Sequence, residues 1–329
     1  MLAKKNRKNL DEKYLKKIEN IDFHPIFILG LPRSGTSILY KILTKTNCFN
    51  SVISYHIIKY DQLLYNHIEN LEGQVKEKLN ASFKEKKLLN RGMDRLEISA
   101  DFPEEYGYIL QQYSRQLFIV PDNLHIFLEL AKKIQFLSRN NKPLLLKNPF
   151  DFQNTAYIKK VIPDAKFVFI CRDPIKILSS NMKALRFLLK GKNPYSIQIF
   201  RAYNKLFQNP LLLYTVRLFF SQLSVFGLMY VVTVYKKLMK RFMKNIKQLS
   251  SKDYIIVRYE DLCVQPQQTI DKLIRFLNIK PEEKIDFKQF VRPRKTDIEP
   301  NIIKMKYFIY KQMKNYYDFF EYKPANIEN

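Results

Sequence analysis

Gly30-Leu-Pro-Arg-Ser-Gly-Thr-Ser37 packs two glycines, one arginine and three hydroxyl side chains into eight residues. A short apolar run ending in glycine, Pro25-Ile-Phe-Ile-Leu-Gly30, precedes it, and a helical stretch (SILYKILTK) follows. A loop between a buried strand and a helix aims its backbone N–H groups and the positive end of the helix dipole at one point, which suits an anion. The spacing matches the phosphate-loop pattern G-x-x-x-x-G-K-[ST], except that Thr36 stands where the lysine belongs. In a nucleoside triphosphatase that lysine reaches the β- and γ-phosphates, and the next hydroxyl holds Mg²⁺. Here the cation is Arg33, inside the loop, where it meets a shorter anionic group. A tight strand–helix turn alone needs glycine, but neither Arg33 nor the hydroxyls of Ser34, Thr36 and Ser37.

A second cation sits at the end of another apolar run, Ala165-Lys-Phe-Val-Phe-Ile-Cys-Arg172, and opens the segment Arg172-Asp-Pro-Ile-Lys-Ile-Leu-Ser-Ser180. Ligands of open α/β sheets bind at the carboxyl ends of the strands, so Arg172 and the phosphate loop can face one crevice. Ser180 lies eight residues further on, about two helical turns. Taken alone, Arg-Asp-Pro says little, because Asp-Pro after a strand is a common helix start.

These residues need a scaffold, and the hydrophobic pattern supplies one. Continuous apolar runs at 25–30, 143–147 and 165–172, and a further one in DYIIVRY, read as buried strands. Helical patterns separate them, so the expected fold is α/β: a parallel sheet with a P-loop-like phosphate-binding loop, helices on both faces and a large helical insertion. Residues 57–140 read as helices with loops, about 195–247 as one long helical region, and KYFIYKQMKNYYDFF as an aromatic-rich helix. With no internal repeat and no low-complexity linker, the expectation is one domain over 1–329. Within it, 1–22 form a basic arm or helix and about 190–250 a helical insertion or lid.

Composition narrows the partners. The chain has 329 residues, 46% hydrophobic, with 25 Phe and 21 Tyr, so it can bury a large core and is not globally disordered. Seven glycines are few for a β-sandwich or barrel. A formal charge of +26 calls for anionic partners: nucleic acid, a membrane surface or an anionic small molecule. No arginine-rich tail, zinc-finger spacing or RNP-like motif is present, so no nucleic acid partner is expected. Three scattered cysteines, Cys48, Cys171 and Cys263, offer neither a disulfide framework nor metal-ligand spacing. The charged N-terminus lacks an apolar h-region, and the expected location is the cytoplasm, including its membrane surface.

Taken together, the loop, the Arg172–Ser180 segment, LLLKNPFD, VIPDAKFVFICRDP and IIVRYEDLCVQPQQTIDKLIRFLNI resemble the PAPS-dependent sulfotransferases, in particular the bacterial group whose loop reads PRSGT. The resemblance covers roughly residues 25–280; about 190–250 carries no recognisable motif. It implies an enzyme that moves the sulfuryl group of PAPS to a hydroxyl and releases adenosine 3′,5′-bisphosphate, with no metal. It also implies that Arg33, Ser34, Gly35, Thr36 and Ser37 hold the 5′-phosphosulfate, and that Arg172 and Ser180 hold the 3′-phosphate.

The chain departs from the family at the catalytic base. Many sulfotransferases carry Lys-x-His at the end of the strand placed here at 143–147, whereas this chain reads Lys147-Asn148-Pro149. Lys147 is expected beside the transferring group, where it stabilises developing charge together with Arg33. The acidic cluster Asp101-Phe-Pro-Glu104-Glu105 resembles an acidic stretch of related bacterial sequences and makes Glu105, then Glu104, the candidate base. The same residues also read as an ordinary helix N-terminus. His56 is the runner-up; His24, His67 and His125 read as structural or surface residues.

The acceptor is less constrained. Residues 218–235 carry no charge, and 235–247 carry six basic residues and no acid. The run reads as a core helix, as a lid that lines an apolar acceptor pocket or touches a membrane, or as a span. A hydrophobic hydroxylated acceptor, a sterol or other lipid, is favoured. The alternatives are a carbohydrate O-sulfotransferase, which the absence of Trp disfavours, a P-loop phosphotransferase, and a non-catalytic nucleotide-binding protein on the same scaffold.

Overall fold

A computed structural model describes residues 9–85, 98–193, 196, 201–281, 283, 285–291 and 297–323. Five parallel strands form one sheet: β1 (Pro25–Leu29), β2 (Asn50–Ser51), β3 (Leu144–Lys147), β4 (Lys166–Cys171) and β5 (Tyr254–Arg258), in the order β2-β3-β1-β4-β5. The chain leaves β1, passes to β2 at the edge and returns through β3 to β1's side. It then crosses to β4 on the other flank. The carboxyl end of β1 is thus the topological switch point, where such sheets bind ligands.

All of β1 is buried, because both faces of the sheet are covered. Phe27 and Leu29 belong to one core, together with Phe127 and Leu130 of α6 (Leu124–Ser138) and Phe242 of a long helix over Val225–Ile246. Ile26 and Ile28 belong to the other, against Leu39, Ile42 and Leu43 of α1 (Thr36–Thr44) and Ile270 and Leu273 of a helix over Pro266–Leu277. The period of two along the strand divides alternate side chains between two apolar layers. The expected α/β class is therefore observed, with helices on both faces.

Between β2 and β3 run α2 (Ser54–Ile58), α3 (Leu63–Ile68), α4 (Glu72–Glu85), α5 (Gly107–Ser114) and α6; α7 (Thr155–Val161) links β3 to β4. After β4 come α8 (Pro174–Lys190), α9 (Arg201–Gln208), α10 (Pro210–Phe219) and α11 (Val225–Ile246). β5 is followed by α12 (Tyr259–Val264), α13 (Pro266–Leu277), α14 (Pro300–Lys304) and α15 (Lys306–Phe319).

The structure corrects two details. The helical region expected over 195–247 breaks twice. Asn209 caps α10 at the amide of Leu212 (3.0 Å), and residues 220–224 turn the chain between α10 and α11. The uncharged run 218–235 therefore straddles a turn, and no helix among the described residues is long and apolar enough to cross a membrane. Of the expected arm 1–22, residues 1–8 lie outside the described residues, as do 194–195 and 197–200 of the insertion. Residues Glu12–Ile18 form a 3-10 helix. Beside it the buried Asp11 pairs with Lys133 at 2.8 Å.

Candidate active site

The phosphate loop depends on tight backbone geometry. Gly35 has φ +108°, and a Cβ there would lie 2.5 Å from Cδ2 of Tyr259. At Gly30 a Cβ would meet the carbonyl oxygen of Ile170 at 2.3 Å and Ser34 Oγ at 2.5 Å. Both positions therefore exclude any side chain. Arg33 also takes a positive φ of 75°, an unfavourable conformation for a non-glycine residue that the loop must hold in place. α1 then starts at Thr36 with no acidic residue in its first turn, leaving its amide end free for an anion. Ser34 Oγ is fully buried and has no hydrogen-bond partner among the described residues. An orphaned hydroxyl beside a helix N-terminus suits an anionic oxygen.

Three cationic side chains meet at this loop. Arg33 Nε donates to Ser180 Oγ on α8 at 3.1 Å, bridging 147 positions of sequence. Arg172 donates from Nη1 to the Arg33 carbonyl at 3.4 Å, and its guanidinium carbon lies 4.5 Å from the ring centroid of Tyr259. The Tyr316 hydroxyl accepts from the Arg172 amide (3.2 Å) and donates to the Arg172 carbonyl (3.1 Å), which pins the backbone under the guanidinium. Asp173 caps α8 at the Lys176 amide (3.1 Å), and its own amide donates to Glu260 (3.1 Å).

Lys147, at the end of β3, supplies the third cation. Its Nζ donates to Ser37 Oγ at 3.2 Å, pairs with Glu105 Oε1 at 3.1 Å, and lies 5.7 Å from the ring centroid of Tyr40. Position 36 lacks the lysine of nucleotide triphosphatases, yet a lysine from the neighbouring strand still reaches the loop. It occupies the hydroxyl of Ser37, which in those enzymes would hold Mg²⁺.

Glu104 and Glu105 are both buried, while Asp101 of the same cluster is exposed and pairs with Lys76 at 2.9 Å. The turn inward has a local cause. Pro103 bridges to Ile53, and the Glu104 amide donates to the Val52 carbonyl at 2.9 Å, so the chain is anchored beside β2. The Glu105 amide in turn donates to the Glu104 carboxylate at 2.9 Å. His56 is otherwise engaged. Its Nδ1 accepts from the Ile53 amide at 3.2 Å, and burial, with Lys76 nearby, pushes its pKa down to about 3. His24 and His125 are exposed, and His67 accepts from Arg139 at 3.1 Å away from the site.

Arg33, Ser34, Gly35, Thr36, Ser37, Lys147, Glu105, Arg172 and Ser180 thus form one contiguous set. Several supporting residues escaped the sequence. Tyr235 of α11, buried, donates to the Pro32 carbonyl at 3.2 Å and accepts from Asn181 at 2.6 Å, tying the insertion to the loop. Asn148, where the chain departs from Lys-x-His, bonds Asp151 at 2.8 Å and the Leu117 carbonyl at 2.6 Å. Burial raises the Asp151 pKa to about 6, and four donors hold its carboxylate: Tyr106, Ile119, Asn148 and Asn154. These residues build the turn after β3 rather than the reacting centre. Asn148 and Asp151 lay in LLLKNPFD, Tyr235 at the end of the uncharged run and Tyr259 in the stretch after β5, but nothing in those segments pointed to these side chains as supports of the site.

A parallel α/β sheet with a P-loop-like anion site at the switch point, cations drawn from three strands and no lysine in the loop defines a class of group-transfer enzymes acting on anionic nucleotides. The family model described as "Sulfotransferase family" matches residues 25–212, more than half of the chain, and the chain belongs to that family. Sulfotransferase STF9 from Mycobacterium avium has a similar fold: TM-score 0.59 at 13% identity, covering 94% of this chain and 81% of that one. Sulfotransferase STF1 from Mycobacterium tuberculosis H37Rv gives 0.57 at 14% identity, covering 93% and 80%. No curated protein matches the chain. The protein is accordingly a sulfotransferase, an enzyme of sulfuryl transfer.

Proposed function

We propose that the enzyme transfers the sulfuryl group of PAPS to the hydroxyl of a hydrophobic acceptor, a sterol or other lipid, and releases adenosine 3′,5′-bisphosphate. The observation that carries the donor assignment is the pair of contacts Arg33–Ser180 and Arg172–Arg33. They make the phosphate loop and the Arg172 corner one continuous basic surface, suited to a ligand with phosphates at both ends of a nucleoside. Bound PAPS supplies an activated sulfuryl group on a phosphate. Ser34, Ser37 and the first amides of α1 hold its 5′ end, and Arg172 and Ser180 hold its 3′-phosphate.

Lys147 stabilises negative charge that moves onto the leaving phosphate, and Glu105 receives the acceptor's proton as the O–S bond forms. Glu104 stays as its neighbour, holding the Glu105 amide. His56 is set aside because it is buried and its Nδ1 already accepts from the Ile53 amide. A hydrophobic acceptor is supported by α11, a largely apolar helix in its first half whose Tyr235 hydroxyl reaches the loop at Pro32. We place the enzyme in the cytoplasm, where its three free cysteines stay reduced, and take the chain as one domain.

Adenosine 3′,5′-bisphosphate at a hundred times its Kd should stabilise the fold by about 2.7 kcal/mol without metal, and ATP–Mg²⁺ by much less. Equal shifts for the two ligands, or none, would remove the donor assignment. Labelled PAPS offered with hydroxylated lipids and with sugars then tests the acceptor; transfer to sugars alone overturns the lipid reading. Binding without transfer to either class points to a scaffold that has lost catalysis.

A further inference from the structure

α11 reaches the loop through Tyr235, while its outer face and most of α10 are open to solvent. Fifteen large hydrophobic side chains are exposed among the described residues, and ten of them fall between 211 and 230. Leu211 is 75% exposed, Tyr214 60%, Leu223 96% and Phe226 67%. Single exposed apolar residues need no explanation, but a contiguous set marks an interaction surface. The set covers the outer side of α10, the turn 220–224 and the first two turns of α11. Gly227 holds the hairpin closed, since a Cβ there would sit 2.4 Å from the Phe219 carbonyl oxygen.

Charge decides what covers this surface. Beyond Thr233 the outer face of α11 turns basic: Lys236, Lys237, Lys240, Arg241, Lys244 and Lys247 are all exposed. From 174 to 252 the sequence holds 15 Lys and Arg and no Asp or Glu, although the chain has 31 acidic residues in all. A second copy would bring the same positive face and be repelled. An anionic bilayer offers the complement of both halves, an apolar layer for the hairpin and a negative surface for the lysines. No helix among the described residues can cross a membrane, so the hairpin would lie in the interface rather than span it.

We propose that residues 210–247 dock the enzyme on the surface of a bilayer containing anionic lipids. The apolar α10–α11 hairpin enters the headgroup–acyl boundary, and the basic face of α11 rests on the headgroups. Because Tyr235 ties the same helix to the phosphate loop, docking sets the transfer site beside the membrane. A lipid acceptor could then be sulfated without leaving it, the one point that rests on the acceptor reading above.

The test is flotation of the full chain with vesicles of phosphatidylcholine alone and with one-third phosphatidylglycerol, at low and high salt. Binding to the anionic vesicles should exceed binding to the neutral ones by at least about tenfold and weaken with salt. Leu223→Asp/Phe226→Asp should reduce it about tenfold or more, and Lys236→Gln/Lys237→Gln/Lys240→Gln should abolish the preference for anionic lipid. These side chains are exposed, so both variants should melt with the wild type and keep the shift with adenosine 3′,5′-bisphosphate. That shift, read on the same samples, separates a failure of docking from a failure of the nucleotide reading. The proposal falls if the anionic vesicles do not bind the chain, or if the aspartates leave binding unchanged. It falls equally if sedimentation shows a dimer that the aspartates dissolve, since the patch then belongs to a second copy.

Discussion

Lys147→Met keeps the length of the side chain and removes its charge, leaving Glu105 a buried carboxylate without its cation. The pair is 3.1 Å apart with both side chains nearly inaccessible, and breaking such a pair costs about 3–5 kcal/mol. Unfolding entropy of about 2.1 cal/mol/K per residue over 329 residues converts that to a fall in Tm of roughly 4–7 °C. Glu105→Gln should cost less, since Lys147 keeps the Ser37 hydroxyl and the face of Tyr40. The double variant removes both charges, so it should recover roughly 2–3 kcal/mol relative to the summed single losses. Thermal unfolding of the four proteins by circular dichroism in one buffer measures this coupling, and strictly additive losses would refute the ion pair as a stabilising unit. The same cycle read by turnover separates two roles of Glu105. A base should lose about 10²–10⁴-fold on Glu105→Gln and should lose further even on the Lys147→Met background. If the second substitution adds nothing there, Glu105 only positions the lysine and the base lies elsewhere.

Arg172→Ala should weaken PAPS about ten- to a hundredfold, from the loss of charge-assisted bonds of roughly 1.5–3 kcal/mol. Adenosine 5′-phosphosulfate, which lacks the 3′-phosphate, should be nearly unaffected; equal losses for the two donors would show that Arg172 does not hold that group. Gly35→Ala forces a Cβ onto Tyr259 at a φ of +108° and should cost about 1–3 kcal/mol as well as nucleotide binding. Wild-type binding in that variant would mean the loop relaxes freely. His56, with its pKa lowered from 6.5 to about 3, contributes stability that is complete above pH 6.5 and lost as the pH falls toward 3. The loss is about 1.4 kcal/mol per pH unit, or about 2 kcal/mol at pH 5. His56→Gln keeps an acceptor for the Ile53 amide without a titrating group, so urea midpoints from pH 7 to 5 should fall less in the variant than in the wild type. Parallel curves would show that His56 does not titrate as its burial requires.

Local patterns made the phosphate loop readable, because strand, glycine turn and helix are contiguous and each leaves its own mark. PIFIL is apolar at every position, as a strand covered on both faces must be. β2 left no mark: two residues cannot show a period, and its place depends on Asn50 pairing with Leu144, far away in sequence. The break at Asn209-Pro210 has a stop-and-start signal that the reading of 195–247 as one helical region passed over, whereas the turn at 220–224 lies inside an uncharged run whose composition looks uniform. The contrast between Asp101 and Glu104–Glu105 was also hidden. Three acids near a proline look alike until the bridge from Pro103 to Ile53 turns two of them inward.

What the sequence suggested as a missing lysine is better understood as a moved one. On α1 a lysine at position 36 would extend from the helix over the phosphates of a triphosphate chain. On β3, Lys147 approaches from beneath the loop and is held on one side by Ser37 and on the other by Glu105. The move also sets the Glu105 carboxylate against the cation at the loop. On the roles proposed for them, the cation that neutralises the leaving group and the carboxylate that takes the proton share one ion pair, joined across 42 positions of sequence from 105 to 147. Under those roles the site needs no histidine at the Lys-x-His position. Pro149 fills its position and, with Asn148 and Asp151, shapes the turn after β3.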